Sequence, residues 1–90
     1  MGKKANKKRI FILDDDSDFT SILQLGLEGR GCYEVRVENN PLNALAAAKE
    51  FLPHLFLLDV QMPDMGGRDV ADQIMADPEL RHRKIVYLTG

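Results

Sequence analysis

The sequence predicts an α/β fold in which helices cover both faces of a parallel β-sheet. Three short apolar runs, at residues 10–13, 55–58 and 85–88, are continuous rather than alternating. Continuous runs of this length are typical of central parallel strands that are buried on both sides. Residues 33–38 instead alternate apolar and polar side chains, which indicates an edge strand. Helical patterns separate the four runs, and this alternation predicts parallel pairing with right-handed crossovers.

Each predicted helix has a recognisable start or end. The first, capped by Asp16 or Ser17, has an apolar face formed by Phe19, Ile22, Leu23 and Leu27. Asn and Pro at residues 40–41 predict the start of a second, alanine-rich helix over residues 42–51. A third helix ends before Pro78 and has an apolar stripe formed by Val70, Ala71, Ile74 and Met75.

Charge is distributed unevenly along the 90 residues. Five of the twelve basic residues lie within the first nine positions, whereas the remainder holds seven basic and fourteen acidic residues. We therefore predict a basic, disordered tail at residues 1–8 and a single domain at residues 9–90. The acidic body favours a cation site and argues against direct binding of nucleic acid by the folded part.

Neither targeting nor membrane insertion is indicated by the apolar segments. None is long enough to span a bilayer, and residues 10–13 are too few for the apolar region of a secretory signal. The single Cys32 cannot form an internal disulfide and suits a reducing compartment. We therefore predict a cytoplasmic location and no membrane partner.

Carboxylates follow two of the predicted central strands. Asp14, Asp15 and Asp16 come after the first strand and Asp59 after the third, while Thr89 closes the fourth. Ligands of open α/β sheets bind at the carboxyl ends of the strands, so these side chains are expected to meet. Crowded carboxylates repel one another unless a cation neutralises them. A site made of oxygen ligands suits Mg²⁺.

The same residues suit phosphoryl chemistry, although a purely structural interpretation covers part of the pattern. An Asp carboxylate such as Asp59 can accept a phosphoryl group covalently, and the Thr89 hydroxyl can hydrogen-bond a phosphoryl oxygen. Asp residues at strand-to-helix junctions are commonly helix caps, which would explain the cluster after the first strand. Helix capping does not explain an acid at the end of a second apolar strand.

Two other classes of site were compared with the spacing. A calcium-binding EF-hand loop starting at Asp14 needs Gly at its sixth position and an acid at its twelfth, where Phe19 and Leu25 stand. That interpretation fails. An aspartyl phosphatase would use Asp14 and Asp16 as a D-x-D pair, but Asp59 would then have no clear role.

Three segments together resemble the receiver domain of two-component response regulators. They are residues 12–16 (ILDDD), 57–67 (LLDVQMPDMGG) and 87–90 (YLTG). The resemblance extends over residues 9–90 and implies a flavodoxin-like, doubly wound parallel sheet with strand order 2-1-3-4. It also implies a signalling module rather than an enzyme, limited to self-catalysed formation and hydrolysis of an acyl phosphate.

The resemblance assigns roles to individual residues. Asp59 would be the phosphoacceptor for a histidine kinase, and Thr89 would be the switch hydroxyl that turns toward the phosphoryl group. Asp15 would bind Mg²⁺ directly, Asp14 directly or through water, and the backbone carbonyl of Gln61 would be the third protein ligand. With Asp59, these residues complete the expected metal-binding set.

The family's fifth strand, its lysine and the last two helices are not matched in this sequence. The resemblance therefore implies a receiver domain truncated after its fourth strand. We expect the 90-residue chain to be unstable alone, to form homo-oligomers through an exposed sheet edge, or to be completed by another chain. The alternative function is a non-signalling scaffold or assembly fragment of a receiver domain.

Overall fold

The computed structural model describes residues 7–88, which form a parallel sheet with helices on both of its faces. The strands are β1 (Lys8–Leu13), β2 (Tyr33–Glu38), β3 (Leu55–Asp59) and β4 (Lys84–Leu88). The helices are α1 (Ser17–Glu28), α2 (Ala44–Phe51) and α3 (Gly67–Ala76). All neighbouring strands are parallel, and their order is β2-β1-β3-β4. The predicted fold class and strand order are confirmed. Residues 85–88 do not form the doubly buried central strand predicted from their apolar run, because β4 ends the described sheet and leaves Val86 and Tyr87 exposed.

Some of the predictions concern residues at the two ends of the chain. Strand β1 begins at Lys8, the last residue of the segment predicted to be a tail. Residues 1–6 and 89–90 lie outside the described residues, and with them the predicted switch residue Thr89. Within residues 7–88, no helix is both long enough and apolar enough to cross a membrane.

The sheet separates two apolar clusters because successive side chains of a strand point to opposite faces. One face packs against α2 and α3, and its buried strand residues are Phe11, Leu13, Phe56 and Leu58. The other face packs against α1, and its buried residues are Ile10, Ile12 and Val35. Fully burying one such large apolar side chain stabilises the fold by about 1.5–3 kcal/mol. Both clusters therefore fix the strands that carry the acidic residues.

Helix α1 buries only half of its predicted apolar face. Leu23 and Leu27 pack against the cluster of Ile10, Ile12 and Val35 as expected. Phe19 and Ile22 are exposed, and Ile22 keeps 70% of its surface accessible. The reason is position, since α1 packs mainly against β2. The described residues therefore leave Phe19 and Ile22 uncovered.

The second helix starts with a tighter turn than predicted. Residues Pro41–Asn43 form a 3₁₀ turn, and the α-helix begins only at Ala44. Asn40 caps this turn, since its side chain accepts the N–H of Leu42 at 3.0 Å, and the start predicted at residues 40–41 is confirmed. A 3₁₀ turn is common at the start of an α-helix, where the first N–H groups have no intrahelical partner.

An ion pair joins α2 to the residue that follows α3. The Nζ atom of Lys49 donates to a carboxylate oxygen of Asp77 at 2.8 Å, and the other oxygen accepts the N–H of Glu79 at 2.9 Å. The hydrogen bond and charge of Lys49, with the N–H of Glu79, hold the pKa of Asp77 below its usual value. A lowered carboxyl pKa stabilises the fold above the unfolded-state pKa, and this contribution is lost as the pH falls through the folded-state pKa.

We expect Asp77→Asn to lower Tm at neutral pH and to reduce the loss of stability on acidification. The amide can still accept the N–H of Glu79 but no longer carries the charge that Lys49 binds. Thermal unfolding from about pH 3 to about pH 7 measures both effects. Glu50→Gln is the matched control, since Glu50 pairs with Arg36 at an exposed site. An equal effect of the two substitutions would contradict the role assigned to Asp77.

Candidate functional site

The pairing of β1 with β3 brings two of the predicted acidic residues together. The register places Leu13 opposite Leu58, so that the residues following them, Asp14 and Asp59, lie side by side. Both are at the carboxyl edge of the sheet, where the loops leading to α1 and α3 begin. Asp14 and Asp59 therefore lie at the carboxyl ends of the two central strands of the described sheet, as the sequence predicts.

Three carboxylates converge at this edge. One carboxylate oxygen from each of Asp14, Asp15 and Asp59 lies within 4.8 Å of the other two. Asp14 and Asp59 are each only 9% exposed, whereas Asp15 is open to solvent. Three oxygen ligands at this separation fit the coordination of a hard divalent cation, with the open side left for water or a phosphate oxygen.

Local hydrogen bonds hold the two buried carboxylates in place. One oxygen of Asp14 accepts the N–H of Asp16 at 3.0 Å, and one oxygen of Asp59 accepts the N–H of Gln61 at 3.1 Å. Each side chain thus closes a turn two residues ahead of itself, a conformation that Asp readily adopts. Each carboxylate keeps its second oxygen for other interactions within the site.

Asp16 caps α1 and does not belong to the cluster of three carboxylates. Its carboxylate accepts the N–H groups of Asp18 and Phe19, both at 3.1 Å, and so caps the start of α1. The run of three Asp residues therefore divides into two residues that contribute to the cluster and one helix cap. The helix-cap interpretation of the run is therefore correct for Asp16, while the functional role of Asp14 and Asp15 stays a prediction.

Burial and the neighbouring carboxylates both affect the pKa of Asp14. Burial raises the pKa of the Asp14 carboxyl, and the negative charges of Asp59 and Asp15 raise it further. The hydrogen bond from the backbone of Asp16 opposes the increase without cancelling it. A bound cation would offset the same repulsion. The charge and the donor atoms of the cluster therefore both fit a metal ion.

We expect Asp14→Asn to raise Tm of the metal-free protein by about 2–5 °C at neutral pH. A carboxyl whose pKa is raised in the folded state destabilises the fold once the pH exceeds the unfolded-state pKa. The gain should therefore shrink as the pH falls through the raised folded-state pKa, and should vanish well below the unfolded-state pKa of about 4, where the wild-type carboxyl is protonated in both states. Thermal unfolding in the presence of a chelator measures it. A lower Tm for the variant at neutral pH would contradict the repulsion inferred for Asp14.

The cleft around the cluster includes one further predicted residue. Its lining is formed by Asp14, Asp15, Asp16, Phe19, Asp59, Gln61 and Leu88. Gln61 therefore lies where the sequence predicts, while its backbone carbonyl as a metal ligand stays a prediction. The described lining residues include no cationic side chain. The basic residue Lys84 lies at the start of β4, and therefore at the end of the sheet opposite the site.

Some residues of the site were missed by the sequence analysis. Phe19 and Leu88 line the cleft, and Asn39 donates a hydrogen bond to the backbone of Asp14 at 2.7 Å. Asn39 directly follows β2, so the rule that selected the other strand-end residues would also have selected it. Its amide neither ionises nor carries a hydroxyl, which are the two features that distinguish the predicted strand-end residues.

The fold and the cluster define an acidic α/β domain whose site lies at the carboxyl edge of a doubly wound parallel sheet. The sequence profile of the response regulator receiver domain matches residues 10–90. The chain therefore belongs to the response regulator receiver family. Receiver domains of this family are signalling modules that take phosphoryl groups from histidine kinases.

Two response regulators are similar in sequence to this chain. The chain is 37% identical over 84 residues to the DNA-binding response regulator MtrA of Mycolicibacterium paratuberculosis, covering 93% of this chain and 36% of MtrA. It is 32% identical over 83 residues to the polar-differentiation response regulator DivK of Brucella anthropi, covering 92% of this chain and 67% of DivK. The chain thus spans about a third of the length of MtrA.

A solved structure agrees with the observed fold. A CheY-like response regulator receiver domain protein from Methanospirillum hungatei JF-1 superimposes with a TM-score of 0.84 at 31% identity. The match covers 94% of this chain and 66% of that protein. The four described strands and three α-helices therefore correspond to about two thirds of a solved receiver domain.

Proposed function

We propose that Asp59 accepts a phosphoryl group from a histidine kinase in a reaction that requires Mg²⁺. The observation that carries the proposal is the convergence of Asp59 with Asp14 and Asp15 at the carboxyl edge of the sheet. The position of Asp59 supports its role as the acceptor, because it ends the central strand β3 and only 9% of its surface is exposed. Family membership supports the choice of donor.

The proposed metal ligands are Asp14, Asp15, Asp59 and the backbone carbonyl of Gln61. Bound there, Mg²⁺ would supply positive charge to the carboxylates and to the incoming phosphoryl oxygens. Support comes from the three convergent carboxylate oxygens and from the raised pKa of Asp14. Since the described lining residues offer no cationic side chain, we expect the dependence on the metal to be strong.

The chain's own residues suggest how the acceptor is oriented. The Oδ1 atom of Asp59 accepts the N–H of Gln61, which fixes the plane of the carboxylate. We assign the attack on phosphorus to the other oxygen, Oδ2. The bond from Oδ2 to phosphorus forms as the bond from phosphorus to the kinase histidine breaks, and the electron pair leaves with the histidine nitrogen. We propose that the hydroxyl of Thr89 then hydrogen-bonds a phosphoryl oxygen.

The compartment and partners complete the proposal. A cytoplasmic location suits the exposed thiol of Cys32, which would remain reduced there. No direct contact with nucleic acid is proposed for this domain, since its body is acidic from residue 10 onward.

Incubation of the chain with a small acyl phosphate tests the proposal without requiring the partner kinase. We expect intact-protein mass spectrometry to show the addition of one phosphoryl group when Mg²⁺ is present. Chelation of the metal should prevent the addition, because the carboxylates would then repel the anionic donor. Equal phosphorylation with and without a chelator would contradict the proposed metal dependence.

A further inference from the structure

Asn39 connects the end of β2 to the loop that carries the acidic residues. Its side-chain nitrogen donates to the carbonyl oxygen of Asp14 at 2.7 Å and to the hydroxyl oxygen of Thr20 at 3.1 Å. A carbonyl oxygen can only accept, so the orientation of the Asn39 amide is determined by its partners. Asn39 itself is exposed, but Thr20 is 1% exposed and provides an acceptor in the interior.

Thr20 continues this connection into α1. Its hydroxyl accepts from Asn39 and donates to the backbone carbonyl of Ser17 at 3.1 Å. A hydroxyl group can fill both roles at once. The end of β2, the loop after β1 and the first turn of α1 are thus joined by consecutive hydrogen bonds.

The bond from Asn39 fixes the peptide unit that leads to Asp15. The carbonyl of Asp14 and the nitrogen of Asp15 belong to the same planar unit, so anchoring the oxygen restricts the whole plane. On the other side, the N–H of Asp14 donates to the carbonyl of Glu38 at 3.2 Å. Asp14 is therefore anchored at both of its backbone polar groups, and the exposed Asp15 projects from an anchored peptide.

We infer that Asn39 is a positioning residue that holds the Asp15 carboxylate at the site by anchoring the carbonyl of Asp14, with Thr20 as its support. This inference rests on the proposed function in treating Asp15 as a ligand of Mg²⁺. Residues that hold metal ligands in place typically change metal affinity by about 10–100-fold when substituted. We expect an effect of about tenfold, at the lower end of that range, because Asn39 is exposed.

The test compares Asn39→Leu with Asn40→Ala in the full chain. Leucine approximates the shape of asparagine without donating, whereas Asn40→Ala removes a hydrogen bond to Leu42 in the same connection. Amide hydrogen exchange is measured without metal at Asp14 and Asp16, whose N–H groups are hydrogen-bonded, and the Kd for Mg²⁺ is measured by calorimetry. We expect Asn39→Leu to accelerate this exchange and to raise the Kd about tenfold, with Asn40→Ala close to wild type.

Thr20→Val provides a second variant, which keeps the volume of the side chain but removes the acceptor of the Asn39 amide. It should change both readouts in the same direction by a smaller factor, because Asn39 keeps its bond to Asp14. If the exchange rates and the Kd of Asn39→Leu change no more than those of Asn40→Ala, the inference is wrong. Faster exchange with an unchanged Kd would also overturn it, leaving a structural contact without a positioning role.

The two readouts separate this inference from the proposed function. If the wild-type chain binds no Mg²⁺, the proposed metal dependence fails. Exchange at Asp14 and Asp16 in the metal-free protein still decides whether Asn39 anchors the loop, and unchanged exchange in Asn39→Leu would overturn that role.

Discussion

Replacing Asp59 with Asn is expected to abolish covalent phosphorylation of the chain by a small acyl phosphate in the presence of Mg²⁺. The substitution retains the shape of the side chain and an oxygen that can accept the N–H of Gln61. The amide is not a nucleophile of the kind needed to form an acyl phosphate, and it carries no charge for a cation. Intact-protein mass spectrometry should therefore show complete loss of the added phosphoryl group.

Asp64→Asn is the matched control for this loss. Asp64 is an exposed residue in the loop after β3, and its backbone is left-handed with φ of 69°, a conformation that Asn tolerates well. The control should be phosphorylated like wild type. The Asp59 variant should also unfold at a Tm no lower than wild type, since one of three crowded charges is removed. Equal phosphorylation of wild type and Asp59→Asn would refute the assignment of the acceptor.

Gly67→Ala is expected to destabilise the fold by about 3 kcal/mol and to impair phosphorylation. Gly67 begins α3, and a Cβ atom built on it would overlap the backbone carbonyl oxygen of Asp59. It would also lie 3.3 Å from the Cβ of Leu58. A backbone atom cannot rotate away as a side chain can, so either α3 or the end of β3 must shift. That shift would move Asp59 relative to the other carboxylates.

Gly26→Ala provides a contrasting control within the same protein. Gly26 lies inside α1, and a Cβ atom there would meet no atom within 4 Å among the described residues. Alanine should stabilise the helix by roughly 0.5–1 kcal/mol because it restricts the unfolded chain. Chemical denaturation of both variants measures the two changes. A Gly67→Ala variant as stable as Gly26→Ala would show that α3 does not pack closely on the end of β3.

The positions of the strands could be predicted from their continuous apolar runs, but the burial of β4 could not. This strand ends the described sheet and leaves Val86 48% exposed, although its apolar run is typical of a strand buried on both faces. Predicted bounds of 55–58 and 85–88 compare with observed strands Leu55–Asp59 and Lys84–Leu88. The exposure of Ile22 could not be predicted in this way. An apolar stripe identifies the face of a helix that can be buried, but only the tertiary position of α1 decides how much of it is covered.

The site could be predicted in its acidic members but not in its supporting contacts. Asp14, Asp15 and Asp59 follow from strand ends, because a parallel sheet brings all carboxyl ends to one edge. The sequence does not determine which carboxylate of residues 14–16 reaches the first N–H groups of α1. In the structure this carboxylate belongs to Asp16. The bond from Asn39 depends on the loop conformation, which composition and spacing do not encode.

Identifying the modified residue in the phosphorylated wild-type chain decides whether the phosphoryl group resides on Asp59. The phosphorylated chain can be reduced with borohydride, which converts an aspartyl phosphate to homoserine, and the labelled peptide can then be sequenced by mass spectrometry. We expect homoserine at residue 59 and at no other position, with the modification dependent on Mg²⁺. Homoserine at Asp14 or Asp15 instead, or none under conditions where intact mass shows phosphorylation, would contradict the assignment of Asp59.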